Sequence, residues 1–158
     1  MTSNLLPRSK DLEAIYERRF DLVYRVCFLY MRNRSDTEDA VSSVFVRLLE
    51  KKRTFDSEEH EKAWLIVTAR NVCKNELRRN RRKHLPIESA EGIAAEQTAD
   101  ETLPVLLSLP EKYKTALYLY YYEGYTSAQT AHVMRKNEST VRTYLAKGRA
   151  LLKKQLTD

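Results

Sequence analysis

Glycine and proline are scarce in this chain, 3 and 4 among 158 residues. Sandwiches, barrels and glycine-rich phosphate loops all need many tight turns, so the supply of turn residues argues against them. No apolar run approaches the roughly 20 residues that a bilayer-spanning helix requires, and no membrane insertion is expected. The N-terminal stretch MTSNLLPRSKDLEAIYERRF breaks into charges before a signal-peptide apolar region forms, which points to a cytoplasmic address. Cysteine is limited to Cys27 and Cys73, which sit in apolar helical patterns without metal-knuckle or redox spacing. Buried, reduced thiols are expected. The three histidines, His60, His84 and His132, are dispersed, and there is no His-Glu-x-x-His, phosphate loop or nucleophile elbow. This inventory suggests no enzyme, metal or cofactor.

What is present is helix-forming and basic. Hydrophobic residues make up 42% and charged residues 32%, with a formal net charge of +6. The charge is partitioned: residues 1–83 carry +6, residues 84–104 carry −5 and residues 105–158 carry +5. The acidic strip HLPIESAEGIAAEQTADETLP holds two of the four prolines and one of the three glycines, and reads as a flexible linker. The expected architecture is all-α, with two small helical domains, 8–83 and 105–158, on an acidic tether at 84–104. Two basic modules suit a protein that grips an extended polyanion at two places.

In the first module Tyr16, Phe20, Val23, Cys27 and Tyr30 recur at helical spacing, and that helix is expected to end near Asn33. Ser35-Asp36-Thr37-Glu38 has the form of a capping box for a second helix. Its apolar stripe is Ala40, Val41, Val44, Phe45, Leu48 and Leu49, with Asp36, Asp39, Ser43, Arg47 and Glu50 largely outside it. After an acidic loop from Phe55 to Glu61, a third helix should run through Ala63, Trp64, Val67, Cys73 and Leu77. Between Arg70 and Lys83 there are seven cations (Arg70, Lys74, Arg78, Arg79, Arg81, Arg82, Lys83) against one anion, Glu76. Like charges one helical turn apart repel by a few tenths of a kcal/mol each, so the run costs stability unless a polyanion neutralises it. Phosphate contact is expected there.

In the second module Pro110 stands where a first helical residue belongs, a helix is expected over Glu111 to Tyr122, and Gly124 supplies its stop. Thr126 can cap a short helix through Met134, Arg135-Lys136-Asn137 makes a tight turn, and Asn137 can cap a last helix. Two helices joined by a turn of that length form a helix-turn-helix pattern. The outward residues Ser139, Thr140, Arg142, Thr143, Ala146, Lys147 and Arg149 are of the types that reach base edges or clamp phosphate in a major groove. The dense tyrosines Tyr118, Tyr120, Tyr121, Tyr122 and Tyr125 suit a surface that is core on one side and a partner face on the other. A ligand-regulated helix-turn-helix repressor is the rival reading, but the second module is short for the dimer face and pocket it requires.

The two modules together resemble bacterial RNA polymerase sigma factors, specifically the extracytoplasmic-function (ECF) group of the sigma-70 family, over residues 12–83 and 103–156. The carrying residues are Asp36-x-Glu38-Asp39-Ala40-Val41, Phe45-x-Arg47-Leu48, Ala63-Trp64-Leu65, Ala69-Arg70-Asn71 and Leu77-Arg78-Arg79. The second module adds Leu109-Pro110, Tyr122-x-Gly124, Ala131, Thr140-Val141-Arg142-x-x-Leu145 and Lys147-Gly148-Arg149. Ser42 and Ser43 stand where the family usually has an amide and a carboxylate, and Arg135 and Lys136 where it has glycine and an apolar residue.

The resemblance implies a transcription-initiation factor without catalytic residues or cofactors. Its implied partners are core RNA polymerase, through clamp and flap regions, promoter DNA and an anti-sigma factor. The polymerase-facing set would be Asp36, Asp39, Ser43, Arg47 and Glu50. The -10 element would meet Phe55, Trp64, Arg70, Asn71, Lys74, Asn75, Arg78, Arg79 and Arg82, with the loop from Phe55 to Lys62 capturing a flipped base. The -35 element would be read by the seven outward residues of the last helix.

Overall fold

The computed structural model describes residues 6–51, 54–82 and 102–157. The chain divides into two compact units, Met1–Ile87 and Glu88–Asp158, and the described residues contain helices and no strand. The acidic strip lies outside the described residues except at its end, where a helix already begins at Thr102.

Unit one is built from α1 (Leu6–Met31), α2 (Arg34–Glu50) and α3 (Glu58–Arg82), each packed on the other two. Its core follows the 3.6-residue period: Leu22, Val23, Val26 and Cys27 from α1, Ala40, Val41, Val44 and Leu48 from α2, and Leu65, Ile66, Ala69, Val72 and Cys73 from α3 are all buried. Both cysteines are free and buried, and the Cys73 Sγ lies 3.9 Å from the Cys27 carbonyl oxygen. Leu49 departs from the expected core stripe at 59% exposed. It lies near the end of α2, one position beyond the buried Leu48, and lines an open cavity with Leu12 and Tyr16 of α1 instead of filling the core.

Two helix starts also differ from expectation. The capping residue of α2 is Asn33, not Ser35, and α1 ends at Met31. Asn33 Oδ1 accepts the Asp36 N–H at 2.9 Å while its Nδ2 donates to the Met31 carbonyl at 3.1 Å. One amide thereby satisfies the end of one helix and the start of the next, which a serine hydroxyl two residues later cannot do. Arg32, at φ 66°, makes the reversal between them. The third helix starts at Glu58, so most of the expected loop from Phe55 to Glu61 is its first turn. Ser57 Oγ accepts the His60 N–H at 3.1 Å, and Glu58, Glu59 and Glu61 sit where the helix dipole favours negative charge.

Glu61 ties that turn to α1. It is only 3% exposed, accepting from Arg18 Nη2 at 2.6 Å and Nε at 3.1 Å, and from Arg19 Nε at 2.7 Å. Burial pushes its carboxyl up, but the hydrogen bonds and charges of the two guanidiniums outweigh that and hold it below the usual carboxylate range.

Unit two contains α4 (Thr102–Ser108), α5 (Glu111–Leu117), α6 (Ser127–Met134) and α7 (Glu138–Thr157). Pro110 caps α5 from outside it, one position earlier than expected, its carbonyl accepting the Tyr113 and Lys114 N–H groups at 3.0 Å. The helix expected to run unbroken to Tyr122 is α-helical only to Leu117 and widens into a π-helical segment over Tyr118–Tyr122. There the Glu123 N–H reaches the Tyr118 carbonyl at 3.2 Å, and the Tyr118 hydroxyl donates to the Glu123 carboxylate. The widened turn sorts the tyrosines: Tyr118 faces the core while Tyr120, Tyr121 and Tyr122 stay exposed. Gly124, at φ 74°, ends the segment. Gly148 allows α7 to seat on α5, because a Cβ there would lie 2.9 Å from Leu117 Cδ1. That close approach explains a glycine inside a helix, where it costs about 1 kcal/mol against alanine.

Glu61→Gln is expected to destabilise the protein by about 1–3 kcal/mol at neutral pH, read from the denaturation midpoint, since it removes the charge that both guanidiniums bind. The half-exposed Arg18 contributes the more screened share. The folded-state carboxyl titrates below its unfolded value, so the difference from wild type holds above the ordinary carboxylate range and closes as pH falls through the folded value. A difference that persists unchanged into acid would contradict this.

Candidate nucleic-acid interface

The helix-turn-helix is assembled by local hydrogen bonds. Thr126 Oγ1 accepts the Gln129 N–H at 3.0 Å, and Gln129 Oε1 accepts the Thr126 N–H at 2.9 Å, a complete capping box at the start of α6. Arg135 then adopts the left-handed conformation, φ 59° and ψ 44°, and the Lys136 N–H closes on the Ala131 carbonyl at 3.0 Å. Asn137 follows. Its backbone carbonyl accepts the Val141 N–H at 3.2 Å, whereas its side-chain oxygen takes the Thr140 hydroxyl at 2.6 Å instead of a backbone donor.

On α7, Val141, Leu145 and Gly148 face inward. Ser139, Arg142, Thr143, Ala146 and Arg149 form one exposed stripe at spacings of three and four. Thr140 and Lys147 flank it, Thr140 half-buried against Asn137 and Lys147 exposed. Glu138 joins the two helices: its Oε2 accepts from Ser127 Oγ on α6 at 2.8 Å and lies 3.1 Å from Arg142 Nη1. Farther along, Arg149 Nη1 donates to the Tyr121 hydroxyl at 3.1 Å.

In unit one, Trp64, Asn71, Lys74, Asn75 and Arg78 fall on one stripe of α3. Arg70 and Arg79 flank it, Arg79 bound to Glu76 at 3.2 Å. Arg82 continues the register, its side chain lying outside the described residues. Of the expected base-capturing loop, Phe55 to Lys62, only Phe55 to Ser57 precede α3, and the rest forms its first turn. Phe55 is half-buried against Trp64, ring centres 5.7 Å apart, with His60 edge-on at 5.2 Å. The Lys51 ammonium sits 4.6 Å from the Phe55 ring centre and 5.8 Å from that of Trp64. Lys51 escaped the sequence reading because it ends α2 and meets these rings only after the chain reverses.

The five α2 residues expected to face polymerase, Asp36, Asp39, Ser43, Arg47 and Glu50, do share one stripe. They differ in availability. Asp36 Oδ2 accepts from Asn33 Nδ2 at 3.0 Å and so belongs to the cap, whereas Asp39, Arg47 and Glu50 are exposed. Ser43 and Arg47 also line a cavity of about 330 Å³ together with Asn75, Arg78 and Arg79 of α3, bringing together residues that the sequence separates into two sets.

Residues 15–83 match the family described as Sigma-70 region 2, and residues 103–152 match Sigma-70, region 4. The ECF RNA polymerase sigma factor SigW of Bacillus subtilis (strain 168) is 25% identical over 168 residues, covering 94% of this chain and 88% of that relative. The chain belongs to the ECF sigma factors of the sigma-70 family. ECF sigma factor SigX of the same organism is 24% identical over 163 residues, covering 93% of this chain and 84% of its own length. Among solved structures, the sigma factor RpoE in complex with the anti-sigma factor NepR from Bartonella quintana matches with a TM-score of 0.78 at 19% identity, covering 94% of this chain and 98% of that one. The fold of this ECF sigma factor is thus that of its family, with DNA-binding region 4 carried on the helix-turn-helix. No described helix is long and apolar enough to cross a membrane.

Arg135 holds a left-handed backbone at the position where glycine is most at ease. Arg135→Gly is expected to raise stability by about 0.5–1 kcal/mol, the relief of strain less the extra freedom gained by the unfolded chain. A thermal midpoint that falls would show that the arginine side chain contributes more than its backbone costs.

Proposed function

We propose that this ECF sigma factor directs core RNA polymerase to promoters through two separated contacts. The last helix, α7, lies in the major groove of the -35 element, with Arg142 as principal base reader and Ser139, Thr143 and Ala146 beside it. Thr140, Lys147 and Arg149 supply flanking phosphate contacts. The observation that supports this most directly is the single exposed stripe of α7, which begins at the helix N-terminus and carries no large apolar residue from Ser139 to Arg149.

The -10 element is met by the α3 stripe. Asn71 and Asn75 offer amides to unstacked bases, Phe55 and Trp64 offer an aromatic surface, and Arg70, Lys74, Arg78, Arg79 and Arg82 neutralise phosphate. Strand separation would draw on this binding energy, with no hydrolytic step and no catalytic residue. The exposed acids of α2, Asp39 and Glu50, are the proposed contacts to the polymerase clamp, and unit two meets the flap. Protein partners that occlude these faces are expected in addition. One of the similar solved structures is a sigma factor held by the anti-sigma factor NepR, and we assign a regulator of that kind to this chain. Domain limits of 8–83 and 105–158 around the acidic tether fit this division of labour.

Run-off transcription with core polymerase and a promoter library is expected to yield start sites only when the chain is present. Arg142→Ala should lose about 1–3 kcal/mol of discrimination at one -35 position, while Lys74→Ala weakens binding with less dependence on sequence. Equal losses on every sequence from Arg142→Ala would remove its base-reading role.

A further inference from the structure

We infer that the groove between α2 and α3 is a clamp for a DNA backbone phosphate, in which Arg47 acts with Arg78 and Arg79, so that Arg47 serves the nucleic acid and not the polymerase. The inference rests on the reading of α3 as a promoter-facing helix and extends that surface onto a second helix. The groove, about 330 Å³, takes Ser43 and Arg47 from α2 and Asn75, Arg78 and Arg79 from α3. Three guanidiniums thus converge from helices about 30 residues apart in sequence. The one carboxylate of the groove, Glu76, is already engaged with Arg79 at 3.2 Å. Neither Arg47 nor Arg78 has a carboxylate partner among the described residues.

Uncompensated cations facing a shared concavity repel each other in the free protein, and an entering anion turns that cost into attraction. A phosphodiester fits the donor set. Guanidinium forks bind phosphate oxygens in pairs, and the Ser43 hydroxyl and Asn75 amide add neutral donors of the kind that position a backbone without reading sequence. The buried Val72 lining the groove limits water beneath the charges, which weakens screening. Charge also separates Arg47 from the rest of its stripe. Asp39 lies about two turns nearer the start of α2 and calls for a basic partner surface, which would reject a guanidinium.

The test uses holoenzyme assembled from the full chain and core polymerase. Affinity of the chain for core is measured by competition, and affinity of the holoenzyme for forked promoter DNA is measured across a salt series. For Arg47→Ala the expected result is a core affinity within about twofold of wild type and a fall of about 3- to 10-fold in DNA affinity. The slope of log affinity against log salt should drop by about one, as it should for Arg78→Ala. Arg47→Lys should keep most of the slope, because it keeps the charge. A loss of core affinity with an unchanged DNA slope would overturn the proposal and return Arg47 to the polymerase face. Unchanged core and DNA binding would overturn it as well, leaving the groove without a ligand. Wild-type holoenzyme that fails to select promoter DNA is a different failure: it would overturn the promoter reading of α3 itself, and the groove with it.

Discussion

A carboxylate buried between two guanidiniums sets the geometry of unit one. Glu61 lies in the first turn of α3, and Arg18 and Arg19 lie side by side on α1. Because a buried charge is tolerated only when its partners are in place, this clasp leaves α3 little freedom to rotate or slide against α1. The consequence runs the length of α3. With the rotation of its first turn held, Leu65, Ile66, Ala69, Val72 and Cys73 point into the core and the stripe from Trp64 to Arg78 points out of it. The proposed DNA face is therefore the complement of a packing face whose register is held near the other end of the same helix.

The second unit solves its positioning problem with short-range bonds instead of a buried ion pair. A capping box starts α6, a left-handed arginine ends it, and Glu138 bonds both Ser127 and Arg142. Each bond is modest, on the order of 1 kcal/mol, but they act within about fifteen residues and leave the turn few alternatives. Gly148 contributes by absence. Without a side chain there, α7 packs against Leu117 closely enough to present its opposite face as an unobstructed stripe.

Periodicity and charge made much of this legible in advance. The apolar spacings of Val23, Cys27, Val44, Leu48, Val141 and Leu145 identified buried faces, and the cations from Arg70 onward marked an outward face, because both depend on a single helix at a time. Helix ends were less legible. Ser35 and Asn33 both offer side-chain oxygens, and choosing between them requires knowing that the Met31 carbonyl also needs a donor. The π-helical widening at Tyr118–Tyr122 was not legible, because it is a change of backbone hydrogen bonding that even a dense run of tyrosines does not mark. The groove joining Arg47 to Arg78 could not be read at all, for it exists only once α2 and α3 are side by side.

The two cysteines lie on α1 and α3, facing one another's helix in the interior of unit one, and unit two has none. A thiol with no exposed surface reacts only when the structure around it opens. Thiol-directed oxidants and alkylating reagents therefore meet no accessible cysteine while unit one is folded, and only that half of the chain offers one when it opens. Thiol modification in this chain is kinetically gated by the breathing of the three-helix unit, and the helix proposed to read the major groove carries no sulfhydryl to lose.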